Sequence, residues 1–252
     1  MKKILFVGVL IYVLSVFLVL KNNITKSVDL KYEAAISQRE SEIKLPSVTV
    51  GTTKYSYVMF RDSTETHVIQ NDDKKDFITL TKRNACRYAI NGSFYSSDYT
   101  SIGLVQINGT IISPRVESTL FDGFLSMSTY GESVIGPEPD STKGNVLQSG
   151  PLFIKEGQIA PLVIQQDKES RRSIAFITDT QELYFASIFK NESRFSGPYL
   201  EELPDIVSKI ADKEGIRIIW ALNLDGGSAS ALLTPKVILP EFRAVKTIIC
   251  IK

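Results

Sequence analysis

Apolar residues are distributed along this chain in two ways. From Ile4 to Leu20 they form one uninterrupted run, bounded by Met1-Lys2-Lys3 and Lys21-Asn22-Asn23. Beyond that point they come in short runs broken by Gly, Pro, Asn and Asp. At about 1.5 Å rise per residue the first run makes a helix of roughly 25 Å, at the short end of the lengths that span a bilayer. No small-residue cleavage pattern follows it, so an uncleaved signal anchor is expected over residues 4–20; a cleaved signal peptide, giving a secreted form, is the alternative. The lysines before the run favour a cytoplasmic segment 1–3 and a chain that continues outside the cytoplasm, at the cell surface. Residues 21–50 are polar and charged, and Tyr32 to Glu42 contains helix formers without an apolar stripe, which predicts a stalk. The folded domain is expected over residues 51–252.

Within that domain the short runs predict strands. Tyr55–Phe60 and Thr66–Ile69 are rich in aromatic and β-branched residues and predict a hairpin across Arg61-Asp62-Ser63-Thr64. Asp72 and Asp73 are expected to cap a short helix carrying Phe77, Leu80 and Ala85, followed by a strand from Arg87 to Ile90 that ends at Asn91-Gly92. Strands are also predicted over Ile102–Ile107, Thr110–Ile112, Phe124–Met127, Leu152–Ile154, Ser173–Thr178 and Leu183–Ile188. Asn108-Gly109 supplies the type I′ turn between the first two. Leu200, Leu203, Val207 and Ile210 recur at helical spacing, with Pro204 near the start of the helix and Gly215 at its end. The nearly all-apolar Ile216–Leu224 reads as a strand buried on both faces. The fold class expected is α+β, with a largely antiparallel or mixed sheet, a few flanking helices and an N-terminal transmembrane helix.

Composition adds limits. The chain has 252 residues, 43% of them hydrophobic, which is enough to bury a core. With 29 basic and 28 acidic residues its net charge of +1 creates no field that would attract nucleic acid, so anion recognition must be local. Cys86 and Cys250 are the only cysteines, and His67 the only histidine. That excludes a zinc site built from Cys and His; a disulfide and a pair of buried thiols both fit the sequence.

Candidate chemistry sits at the ends of apolar strands. Asn223-Leu224-Asp225-Gly226-Gly227-Ser228 places a carboxylate and bare backbone N–H groups after a buried strand, suited to a sugar or phosphate, although an Asp-capped turn has the same composition. A serine nucleophile at Ser228 lacks the second glycine of a nucleophile elbow, since Ser230 stands there, and lacks a downstream histidine. Three further clusters are Asn91-Gly92-Ser93-Phe94-Tyr95-Ser96-Ser97-Asp98, Gln148-Ser149-Gly150-Pro151 and Arg171-Arg172-Ser173.

In their order along the chain, these motifs resemble the phosphodiester glycosidase domain, over roughly Arg83 to Ile251. The resemblance implies cleavage between a sugar's anomeric carbon and a phosphodiester oxygen, releasing free sugar. It assigns Asp225 the carboxylate that activates water or stabilises an oxocarbenium-like transition state, with Arg171 or Arg172 as the phosphate clamp. Asn91 and Asn223 would orient sugar hydroxyls or the attacking water. Gly92, Ser93, Gln148, Ser149, Gly150, Gly226, Gly227 and Ser228 would complete the substrate site. Ser93 and Ser228 replace glycines of the family pattern, which points to an altered pocket shape. No cofactor is required, and a single divalent cation is compatible. The expected partner is a sugar-phosphate substrate, such as a cell-surface polysaccharide, with membrane contact through residues 4–20. Two other readings carry different chemistry: a carbohydrate-binding or envelope-assembly protein without turnover, and a metal-dependent phosphodiesterase using Asp98, Asp122 and Asp225.

Overall fold

The computed structural model describes residues 44–62 and 65–252. The expected anchor over residues 4–20 and nearly all of the stalk lie outside the described residues. Among those that are described, no helix is long and apolar enough to cross a membrane. Residues 45–252 form one compact unit. Its first strand, β1 (Ser47–Val50), already pairs in a sheet, so these four residues belong to the folded unit and not to a stalk.

The largest sheet has seven strands. Its order is β1, β2 (Thr53–Arg61), β13 (Leu183–Lys190), β12 (Arg172–Thr178), β14 (Ile218–Asn223), β10 (Leu152–Lys155) and β11 (Gln158–Ile159). Helix α2 (Leu203–Glu214) covers one face, and Leu203, Ile206, Val207 and Ile210 are buried against Tyr57, Ile174, Phe176 and Ala221. Each such side chain contributes on the order of 1.5–3 kcal/mol. Pro204 lies in the first turn of α2 and Gly215 ends it in the left-handed conformation, as the sequence predicts.

The opposite face of this sheet meets two smaller ones, which is why β14 is apolar almost throughout. In one of these sheets the order is β16 (Ile238–Leu239), β15 (Leu232–Leu233), β4 (Tyr88–Asn91), β17 (Thr247–Ile251) and β3 (Thr66–Gln70). In the other it is β6 (Thr110–Ser113), β5 (Val105–Ile107), β9 (Asn145–Ser149), β7 (Gly123–Met127) and β8 (Val134–Gly136). Phe60 on β2 packs its ring 5.3 Å from Tyr88 on β4, and the backbone of Gly123 on β7 approaches Leu222 on β14.

Of the two sheet types expected, the largely antiparallel one holds: the pairings among the described strands are antiparallel, and β14 runs antiparallel to both β10 and β12. Two other expectations change. The predicted hairpin of Tyr55–Phe60 with Thr66–Ile69 does not form. β2 pairs with β1 and β13, whereas β3 crosses to the second sheet and pairs with β17. Finally, the helix α1 (Phe77–Arg83) is capped by Asp76 and not by Asp72 or Asp73; its side chain accepts from the Thr79 N–H at 2.8 Å. Phe77 and Leu80 are buried, but Ala85 lies beyond the helix, exposed. Asn108-Gly109 has positive φ at both residues, as a type I′ turn requires. Cys86 and Cys250 form a disulfide that ties the segment after α1 to β17.

Candidate active site

The strand ends flagged in the sequence converge. Asn91 at the end of β4 donates from Nδ2 to the Asp225 carbonyl, while its Oδ1 accepts from Ser173 Oγ (2.7 Å) and the Ala231 N–H (2.9 Å). The Asp225 N–H donates to the Gly92 carbonyl. The loop after β14 is thus held by β4 on one side and β12 on the other. Asn223 performs the same service nearby: its Nδ2 donates to the Gly150 carbonyl (2.8 Å), and its own carbonyl accepts from Ser149 Oγ (2.7 Å). Gly150 must be glycine, because a Cβ there would lie 2.0 Å from the Leu120 carbonyl oxygen. Gln148 is saturated by the segment crossing it, accepting from the Leu104 and Val116 N–H groups and donating to the Val116 and Phe121 carbonyls. The Ser93 N–H and hydroxyl both engage Thr247 Oγ1.

These groups are buried and, apart from Asn223 Oδ1, which has no hydrogen-bond partner among the described residues, satisfied by protein, so Asn91, Gln148, Ser149 and Asn223 act as clamps beneath the site. Buried polar groups without such partners would each cost about 1–3 kcal/mol.

The arginines are clamps as well. Arg171 is 1% exposed and donates to Ser230 Oγ and to the carbonyls of Arg194, Ser230 and Pro240. Burial lowers its pKa to about 10, partly offset by Glu241, and it stays charged at neutral pH. Arg172 points the other way, as adjacent strand residues must, donating to the Pro198 and Lys168 carbonyls and pairing with Asp167 at 2.9 Å. Neither guanidinium lines the cleft described below, which departs from the expected phosphate clamp. Their backbone matters instead: the Arg171 carbonyl accepts from the Gly227 N–H at 2.8 Å and seats the glycine pair.

Above this network opens a cleft of about 670 Å³, a volume suited to a small ligand. The loop after β14 contributes Asp225, Gly226, Ser228 and Ala229; the loop after β4 contributes Tyr95, Ser96, Ser97 and Tyr99. Lys74 and Arg243 are its cations. Asp225 has lost most of its hydration, and this burial pushes its pKa up to about 8, against a small opposing effect from the Gly226 N–H. Tyr95, which lines the same cleft, is raised by burial and then by the Asp225 charge. Tyr95 and Tyr99 meet edge to face at 5.1 Å, and Lys74 Nζ lies 4.9 Å from the Tyr99 ring centroid.

Sequence reasoning thus found Asp225, Gly226 and Ser228 on the cleft. It singled out Tyr95, Ser96 and Ser97 only as part of a polar cluster, without a role, and missed Lys74, Tyr99 and Arg243. Positive φ at Lys74 and Tyr99, unusual for such side chains, marks two of them, and that signal exists only in the folded backbone. Asp98, Asp122 and Asp225 do not assemble: among the described residues no group of three or more His, Cys, Asp or Glu is placed to hold a metal ion. Asp122 instead binds the Leu152 N–H and Lys155. His67 is on β3, paired with Glu65, and is not part of the cleft.

A hypothetical protein from Synechocystis shares the fold with a TM-score of 0.65 at 13% identity, over 82% of this chain and 61% of that one. This chain therefore spans 61% of that relative's length. The catalytic domain of zebrafish N-acetylglucosamine-1-phosphodiester alpha-N-acetylglucosaminidase, auto-inhibited by its pro-peptide, matches with a TM-score of 0.56 at 13% identity. That match covers 82% of this chain and 86% of the zebrafish domain. At such identity these likenesses speak to the fold. No curated protein matches the sequence. The sequence profile of the phosphodiester glycosidase family matches residues 84–252, more than half of the chain and every cleft-lining residue except Lys74, so the chain belongs to that family.

Proposed function

We propose that the protein hydrolyses the glycosidic bond of a sugar-1-phosphodiester, releasing free sugar, with Asp225 as the general base that takes a proton from the attacking water. The observation that carries this reading is a desolvated carboxyl with a pKa of about 8, opening into a cleft whose cations stand on other loops. A base poised near the working pH combines an adequate ionised fraction with a strong pull on the proton. The departing phosphodiester is an anion of low basicity and needs little protonation. Lys74 and Arg243 hold that anion, and Tyr95, Ser96 and Tyr99 offer an aromatic and hydroxyl-bearing wall for the sugar. Family membership and the zebrafish enzyme's name support an N-acetylglucosamine-1-phosphodiester as the first substrate to try.

The same proposal places the domain outside the cytoplasm, anchored through residues 4–20. The Cys86–Cys250 disulfide supports an oxidising compartment. No cofactor is invoked.

The test is the full-length chain with UDP-N-acetylglucosamine in ¹⁸O-labelled water. Cleavage at the anomeric carbon puts the label in free sugar, and kcat/KM climbs about tenfold per pH unit before levelling near pH 8. Asp225→Asn lowers the rate on the order of 10²–10⁴-fold and removes that pH limb. Label in a phosphate product would show P–O cleavage and sink the proposal, and binding without any product would favour a carbohydrate-binding role.

A further inference from the structure

Two phenylalanines stand exposed beside the cleft. Phe195 is 50% and Phe242 65% exposed, and their ring centroids lie 4.5 Å apart. Burying these rings would be favourable, yet the fold leaves both at the surface. Their position is fixed from below. Phe195 lies over the Arg171 guanidinium at 5.8 Å, and Arg171 holds the carbonyls of Arg194, Ser230 and Pro240. The N–H groups of Phe242 and Arg243 share the Ser228 carbonyl, and Ser228 and Arg243 both line the cleft. The aromatic pair is therefore continuous with the cleft and held in place by the same clamps.

We propose that Phe195 and Phe242 form a second sugar subsite, so that the substrate is an oligo- or polysaccharide phosphodiester whose neighbouring sugar ring stacks on the pair. The inference rests on the glycosidase reading above and adds the substrate class to it. The C–H face of a pyranose is apolar and uncharged, and an aromatic ring offers it contact area at little entropic cost. Charge argues against a bilayer as the occupant. The neighbours of the pair in sequence, Glu192, Arg194 and Arg243, carry both signs, whereas contact with an anionic leaflet calls for a basic cluster. Two rings also fall far short of the roughly 800 Å² per partner that a stable protein interface buries.

The experiment measures the affinity of the full-length chain for N-acetylglucosamine-1-phosphate oligomers of one to six units, in the Asp225→Asn background so that none is consumed. Affinity is expected to rise roughly tenfold from one unit to the longer oligomers. Phe195→Ala with Phe242→Ala should flatten that dependence, as should the double leucine variant, which keeps apolar volume but not the ring face. Phe242→Trp should preserve it, and Val163→Ala, at an exposed site elsewhere, should leave it unchanged. Affinity independent of length, or full length dependence in the leucine variant, overturns the subsite. Loss of binding to phosphatidylglycerol vesicles in the alanine variant, with sugar affinity intact, overturns it in favour of a lipid contact. Cleavage of UDP-N-acetylglucosamine by the unmodified chain tests the glycosidase reading separately, so either idea can fail alone.

Discussion

Asp225 illustrates how one side chain sets both reactivity and stability. Its pKa rises from 3.8 to about 8 on folding because burial disfavours the charge. Between those values the folded state holds a proton that the unfolded state has released, so stability falls as pH rises through the window and levels off above about pH 8. Asp225→Asn removes this effect. The variant is expected to melt higher than the parent at pH 8, and the difference should shrink towards pH 4; thermal unfolding across that range checks both the sign and the window. Equal melting points at the two ends would show that the carboxyl is ordinarily hydrated.

At the level of strands and loops, the motifs turn out to specify scaffolding more than contact. Asn91, Gln148, Asn223 and the two arginines were all legible as unusual polar residues at the ends of apolar strands; Asn91 and Arg171 meet through Ser173 and Ser230, whereas Arg172 turns away to Asp167. What the sequence could not convey is which way they face. A buried amide that clamps a loop and an exposed amide that holds a sugar have the same spelling, and only the partner decides. Asn91→Leu is accordingly expected to leave the Ser173 hydroxyl, the Ala231 N–H and the Asp225 carbonyl without their partner. It should destabilise the chain by about 2–4 kcal/mol in urea titrations. Because the amide supports the Asp225 loop and is buried beneath the cleft, not on its wall, the activity of the folded fraction should fall through kcat more than through KM. A selective loss of substrate affinity would instead make Asn91 a ligand.

Across the domain as a whole, the strands were readable one by one and the pairing was not. Local pattern gave β5 and β6 with their turn, α2 with its cap, and the buried β14. It gave the wrong partner for β3, because Thr66–Ile69 follows Tyr55–Phe60 closely in sequence and nothing local announces a change of sheet. The distant partner, β17, also carries Cys250. Its disulfide with Cys86 closes a loop of 164 residues, for which the loss of chain entropy in the unfolded state predicts about 2–5 kcal/mol of stabilisation. Cys86→Ser with Cys250→Ser should lower the unfolding free energy by that amount with little change in the folded-state spectrum. No change would show that the noncovalent pairing of β17 suffices.

The placement of β17 has a kinetic consequence. It lies between β3 and β4, both of which precede it by most of the domain. The second sheet therefore cannot assemble from neighbours in sequence, whereas β5 with β6 and β12 with β13 can zip locally. Folding should be slow for the domain's size, as expected when contacts are remote in sequence. The Asn91–Asp225 junction joins β4 to the loop after β14, and both strands pair only with strands remote in sequence, so the cleft would be among the last features of the chain to mature.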